Sequence, residues 1–277
     1  MTVELAGLTL SSPVLVASGC GGTGRELASY ADLTAFGGFV TRSITVNARA
    51  GGPAPRIVET PSGLVNAIGL QNPGIDHFLA TELTWLAQQG VRTFVSIAGR
   101  SLGEYAELAR RIGRSPGVTG IEVNLSAPDA TGTQVFDVRE PFHAASVVAA
   151  VKRDLPRGMA VLAKIRSDVV RVVESARTVL DAGADAVVVG NALPAALPDG
   201  RPGGLSGPAI GPLALRCVAE VHAELPDAQI VGCGGVADAD AARAFLAAGA
   251  RAVQVGTALL HDPTAASRLV TELEENE

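Results

Sequence analysis

Short apolar, β-branched runs recur along this chain after glycine-rich punctuation, and each is followed by a longer stretch of helical period. The runs are Val14–Ala17, Phe39–Thr41, Thr93–Ile97, Ile121–Asn124, Val161–Ile165, Ala186–Val189, Ile230–Gly232 and Ala252–Val255. Helix candidates lie near Gly24–Leu33, Ile75–Gln89, Gly103–Ile112, Pro141–Asp154, Val170–Ala182, Pro212–Glu224, Ala237–Ala248 and Pro263–Glu274. Eight strands alternating with eight helices imply a parallel sheet, because each crossover returns the chain in the same direction. Strands buried on both faces read as continuous apolar runs, as "DAVVVG" and "AVLAKI" do. A length of 277 residues suits one (β/α)8 TIM barrel, a fold of about 250 residues.

A near-repeat supports the barrel. "DAGADAVVVG" (Asp181–Gly190) and "AAGARAVQVG" (Ala247–Gly256) match at seven of ten positions. Each reads as a helix end, a glycine that supplies the left-handed cap, a strand, and a glycine at the strand's carboxyl end. The opening "VELAGLTLSSP" reads as a short N-terminal β-hairpin that could close the amino-terminal end of the barrel. No linker or low-complexity segment divides the chain, so residues 1–277 are expected to form a single domain.

Composition removes several function classes. Hydrophobic residues make up 47% and charged residues 18% of the chain, enough for one large core. A net charge of −6 with no basic run argues against nucleic acid, whose phosphates need clustered Lys and Arg. Cys20, Cys217 and Cys233 are widely spaced and match neither a zinc nor a cluster-binding pattern. The N-terminus has no signal-peptide character, and no apolar stretch reaches the roughly 18 residues of a membrane span. A soluble cytoplasmic protein is expected. His77, His143, His222 and His261 have no carboxylate or cysteine at ligand spacing, so no metal is expected.

Barrel enzymes work at the carboxyl ends of their strands, with phosphate commonly held after strands seven and eight. Here those loops read "VGCGGV" (Val231–Val236) and "VGT" (Val255–Thr257). Gly234 and Gly235 allow backbone N–H groups to approach an anion, and a helix starting near Ala237 would add its positive end. Gly256 and Thr257 offer another N–H and a hydroxyl, and the loop "GGLSGPA" (Gly203–Ala209) could close a third side. Glycine-rich turns also serve packing alone, but three of them in these places favour a phosphate-bearing cofactor. Lys164 stands in an otherwise apolar strand, where an ammonium is costly unless it meets a polar partner or snorkels to the rim.

The segments "ASG" (Ala17–Gly19), "NAIGLQNPG" (Asn66–Gly74), "NLS" (Asn124–Ser126), "GGLSGPAI" (Gly203–Ile210), "ALRCVAEV" (Ala214–Val221), "GCGGV" (Gly232–Val236) and "AVQVGTA" (Ala252–Ala258) span nearly the whole chain. Together they resemble the dihydroorotate dehydrogenases, most closely the class 1 enzymes and their 1B subclass. The resemblance implies a βα barrel with FMN at its carboxyl face and oxidation of dihydroorotate to orotate in pyrimidine biosynthesis. FMN would be held by Ser18, Arg42, Ser43 and Asn124. Its phosphate and ribityl end would meet Gly207, Gly234, Gly235, Gly256 and Thr257. Lys164 would lie near the flavin N1 side, where a cation stabilises the reduced ring. The dihydropyrimidine would rest against Asn66 and the following Ala67, Ile68, Gly69 and Leu70, with Arg42, Asn124, Asn191 and Ala192. Amide side chains suit a ring of alternating donors and acceptors. A 1B enzyme is also expected to have a homodimeric core and a separate iron–sulfur, FAD-containing subunit that passes electrons to NAD. The absence of an N-terminal membrane segment disfavours the quinone-using class 2.

The departures from the family pattern gather around the substrate. The base position, Cys in class 1 and Ser in class 2, is Ala127, and the usual Asn after the following proline is Asp129. The usual lysine is Arg42, forked and bulkier; a usual Asn is Ser96, and a usual Thr or Ser is Ala192. A positioned base contributes about 10²–10⁴-fold, and Ala127 cannot supply it. Three readings follow. Asp129, Ser126, Thr131 or Cys20 acts as base; the enzyme reduces another dihydropyrimidine or ene substrate; or the chain is a non-catalytic flavin-binding paralogue.

Overall fold

A computed structural model describes residues 1–126 and 138–275 of the chain. Its first strands are β1 (Val3–Leu5), β2 (Leu8–Leu10), β3 (Val14–Val16), β4 (Gly38–Val40), β5 (Ile57–Thr60), β6 (Gly63–Asn66) and β7 (Thr93–Ile97). There follow β8 (Val118–Asn124), β9 (Ala160–Ile165), β10 (Ala186–Val189), β11 (Leu193–Ala196), β12 (Pro202–Ser206), β13 (Ile230–Cys233) and β14 (Ala252–Val255). Strands β3, β4, β7, β8, β9, β10, β13 and β14 pair in that order, all parallel, and β14 returns to β3 to close an eight-stranded barrel. These are the eight runs read from the sequence.

Period-two alternation divides each barrel strand between two cores. Val16, Val95, Ile97, Ile121, Val123, Val161 and Val189 belong to the outer cluster that packs against the helices. Leu15, Val40, Phe94, Leu162, Val188 and Val231 form the inner cluster together with Leu5 and Leu10 of the β1–β2 hairpin. The hairpin turns at Ala6 and Gly7, both at positive φ, which matches the twist of a two-residue hairpin. Ala6 N–H donates to Gln229 Oε1 at 2.6 Å. The hairpin plugs the amino-terminal end of the barrel, as its sequence suggested.

Several helices differ from their sequence-based bounds. The expected Gly24–Leu33 helix is only Arg25–Ala28, followed by a 3₁₀ turn at Leu33–Ala35. Asp32 caps that second turn, accepting from Thr34 N–H at 2.9 Å, and so favours a break over a continuous helix. The Ile75–Gln89 helix contains a π segment at Leu79–Leu83. There the hydroxyls of Thr81 and Thr84 bond back to the carbonyls of His77 and Leu79, competing with the main-chain ladder. The helix expected from Ala237 begins at Ala239, with Asp238 as its cap.

The largest correction concerns "GGLSGPA", expected to be a loop. Pro202–Ser206 is strand β12, the centre of a second, antiparallel sheet in the order β11-β12-β6-β5, and Pro208–Ile210 is a 3₁₀ turn. This sheet stands over the carboxyl end of the barrel, since β11 begins four residues after β10 ends. Two positions of β12 have no room for a side chain: a Cβ on Gly203 would sit 2.7 Å from Asn66 O, and one on Gly204 2.6 Å from Ala192 Cβ.

Candidate functional site

A cavity of about 410 Å³ opens at the carboxyl end of the barrel, between the strand ends and the second sheet. That volume lies in the range of small-molecule and cofactor sites. Every flavin- and substrate-site candidate named from the sequence that falls within the described residues lines it, as does the base candidate Cys20, whereas Ser126 does not. Ala127, the base position, lies outside them, as do Asp129 and Thr131.

One wall is made of backbone. Gly207, Gly234 and Gly235 all have positive φ, and a Cβ on Gly235 would stand 2.5 Å from Gly211 Cα and 3.3 Å from Gly207 O. A Cβ on Gly207 would meet Gly63 Cα at 2.7 Å and Thr257 Cγ2 at 3.4 Å. The three glycine-rich segments therefore converge on one side of the cavity. The N–H groups of Gly234, Gly235 and Gly256 donate to no backbone carbonyl among the described residues, so these donors remain for a ligand. The helix after Gly235 starts two residues later than expected, at Ala239, and Asp238 caps it by accepting from Ala241 N–H at 2.8 Å.

The opposite wall is a chain of hydroxyls and amides. Ser43 Oγ and the buried Ser96 Oγ are 2.9 Å apart, and Asn124 Nδ2 donates to Ser43 Oγ at 2.9 Å. Asn191 Nδ2 donates to Ser126 Oγ at 2.6 Å, while Asn191 Oδ1 accepts from Ala192 N–H at 2.9 Å. Asn66, expected in a loop, is the last residue of β6, and its Nδ2 donates to Gly204 O of the neighbouring β12 at 3.2 Å. The buried Tyr105 hydroxyl donates to Asn124 O at 3.0 Å and fixes the end of β8. Asn72 fixes the loop of Ala67, Ile68, Gly69 and Leu70. Its Oδ1 accepts from Gly74 N–H and its Nδ2 donates to Leu70 O, where Leu70 holds a positive φ. Arg42 lines the cavity, and its buried Nε has no hydrogen-bond partner.

Lys164 sits at the floor of the cavity, 3% exposed, which rules out the snorkelling reading. Its Nζ donates to Gln254 Oε1 at 2.7 Å, and Gln254 Nε2 donates to Glu122 Oε2 at 2.6 Å. Burial pulls its pKa down, but Cys233, Glu122 and Cys20 together outweigh burial and hold the ammonium above the ordinary lysine value. Glu122 and Gln254 were not singled out from the sequence. A signal existed: each is a polar residue inside an apolar strand, and Glu122 is two positions before Asn124, hence on the same inward face.

The described base candidates fare poorly. Burial pushes the Cys20 thiol up to about 12, against the opposing pull of Lys164. Ser126 is buried, and its hydroxyl already accepts from Asn191. Among the described residues no carboxylate and no histidine lines the cavity.

Comparisons with known proteins agree with this architecture. The family model described as dihydroorotate dehydrogenase matches residues 1–276. A relative from Anoxybacillus flavithermus, named dihydroorotate dehydrogenase B (NAD(+)), catalytic subunit, is 41% identical over 99% of this chain and 89% of its own length. A relative of the same name from Desulforudis audaxviator is 43% identical over 99% of this chain and 91% of its own. Among solved structures, a DHODH from Eimeria tenella in complex with ferulenol superposes with a TM-score of 0.85 at 22% identity. It covers 99% of this chain and 84% of that one, and at that identity it speaks for the fold alone. With the family model spanning the barrel from end to end, the chain belongs to the dihydroorotate dehydrogenase family.

Proposed function

We propose that this chain is the FMN-dependent catalytic subunit that oxidises dihydroorotate to orotate in pyrimidine biosynthesis. The observation that carries the reading is the two-sided cavity: convergent glycine loops with unused N–H donors face a wall of amides above a buried ammonium. That donor set fits a flavin mononucleotide, which when bound supplies the hydride acceptor. Gly207, Gly234, Gly235, Gly256 and Thr257 would hold the phosphate and ribityl end. Ser18, Arg42, Ser43 and Asn124 would line the ring, and Lys164 would stand beneath it.

On the substrate side, Asn66, Asn124 and Asn191 present amides whose donors and acceptors match a dihydropyrimidine ring. Ala67, Ile68, Gly69, Leu70 and Ala192 bound that space with mostly apolar surface, and Arg42 offers a cation to a carboxylate. The relatives' names, with NAD(+) and a catalytic subunit in them, support a separate subunit that passes electrons to NAD, and an iron–sulfur/FAD subunit in that role is part of the same proposal. The chain's three cysteines cannot themselves hold a four-cysteine cluster. A cytoplasmic setting and a homodimeric core belong to the same proposal.

One observation favours a second reading. Residue 127 is alanine, and no described group lining the cavity is fit to accept a proton from carbon. The alternative is a flavin-dependent reductase of a related dihydropyrimidine or ene substrate, with solvent handling the proton, or a non-catalytic flavin-binding paralogue. Anaerobic mixing with dihydroorotate separates the readings. Dihydroorotate oxidation predicts bleaching of the yellow protein on the timescale of ordinary turnover, about 1 to 10³ per second. A protein that stays yellow contradicts it in favour of the second reading.

A further inference from the structure

Lys164 is buried at 3% exposure, and the carboxylate and amide beside its ammonium, Glu122 and Gln254, lie outside the cavity lining. Strands β8, β9 and β14 contribute one residue each. Glu122 is fully buried at 0% exposure and Gln254 is at 1%. Glu122 Oε2 accepts from Gln254, while its Oε1 accepts no hydrogen bond and lies 3.7 Å from Lys164 Nζ. The amide between them can stand only one way. Turned over, it would point its NH₂ at the ammonium and its carbonyl at the carboxylate, so both contacts would be repulsive. Gln254 thus reads the sign of both neighbours and fixes their positions.

We propose that Glu122 and Gln254 are positioning residues that lock Lys164 as a cation beneath the cavity, so that its pull on a bound redox ring does not vary with pH. The last step rests on the flavin reading above. The groups facing Lys164 are Glu122 from β8, Gln254 from β14, Cys233 from β13 and Cys20 from the turn after β3. Burial raises both thiols well above neutrality, so at neutral pH they carry no charge. Among these facing groups Glu122 is then the one anion available to the ammonium. A buried lysine stripped of its counter-ion gives up its proton early.

Glu122→Gln tests the lock with little change of shape, since Gln254 Nε2 keeps an oxygen to donate to. Without flavin, the readout is denaturant stability against pH, compared with the wild type. In the wild type the lysine pKa is raised, so its contribution is complete below the unfolded value of about 10.4 and is lost above it. In the variant the folded pKa falls below that value. The variant's deficit is therefore largest near neutral pH, where the wild-type pair carries both charges, and shrinks as pH climbs toward about 10.4. With flavin bound, the readout is the midpoint potential. The variant's potential should exceed the wild-type value at low pH, because an opposing carboxylate is gone. It should fall below once the lysine is neutral, giving a break in the pH plot between about pH 6 and about pH 10 that the wild type lacks.

The exchange Glu122→Gln/Gln254→Glu returns one carboxylate to the ammonium and should abolish the break. A break that persists in the exchange, or a Glu122→Gln deficit that is constant with pH, overturns the proposal. A chain that takes up no flavin yet shows the pH-dependent deficit supports the lock and contradicts only the flavin reading.

Discussion

In the lower half of the barrel interior, Leu15, Val40, Phe94, Leu162, Val188 and Val231 close on Leu5 and Leu10 of the hairpin. Two residues further along the same strands, the positions are Ala17, Arg42, Ser96, Lys164, Gly190 and Cys233. One step of the strand period, about 6.6 Å of rise, leads from Val40, Phe94 and Leu162 to Arg42, Ser96 and Lys164. The lower half is where stability comes from. Each fully buried aliphatic side chain there contributes roughly 1.5–3 kcal/mol. The upper half carries a buried ion pair, which at best breaks even against apolar packing.

Substitutions that treat the two halves alike should therefore have unlike consequences. Lys164→Met leaves Glu122 buried and alone, and should cost about 3–5 kcal/mol of unfolding free energy. Adding Glu122→Leu and Gln254→Leu should recover most of that loss, because no buried ion or amide is then left without a partner. The recovered triple variant should still be impaired in flavin reduction. Denaturant unfolding and rapid-mixing kinetics check the two halves of this expectation, and a triple variant with normal reduction would dissolve the distinction. Leu162→Ala, one step below, should cost about 2–5 kcal/mol and leave flavin affinity unchanged. A large loss of affinity there would mean that the halves are mechanically one unit.

Cys20→Ser should have the smallest effect. With its thiol pushed up to about 12 by burial, Cys20 is no base near neutral pH. The rate of dihydroorotate oxidation should change by no more than about threefold, not the 10²–10⁴-fold that loss of a working base brings. A loss of the larger size would make Cys20 the missing base.

The two halves were also unequally legible in the sequence. The barrel strands announced themselves because both faces are buried and their apolar runs are continuous, as in Ala186–Val189. The glycine wall was legible because close approach needs glycine wherever it occurs, and Gly234 and Gly235 both take positive φ. The second sheet was not. Strand β12 reads Pro-Gly-Gly-Leu-Ser, a turn composition by any local rule, and only pairing with β6, over a hundred residues away, makes it a strand. The Lys164 network was half legible. A lone lysine in an apolar strand asked for a partner, but Gln254 and Glu122 are 132 residues apart, and no local pattern joins them.

The central claim is that the upper rim grips a nucleotide tail through backbone donors while the polar floor meets the ring. Titration of the flavin-stripped protein with FMN and with riboflavin, followed by flavin fluorescence, tests it most directly. Charge-assisted bonds from several N–H groups to one phosphate, each contributing about 1.5–3 kcal/mol, predict one FMN per chain, with riboflavin held at least about a hundredfold more weakly. Equal affinity for the two, or no uptake of either, would contradict the account.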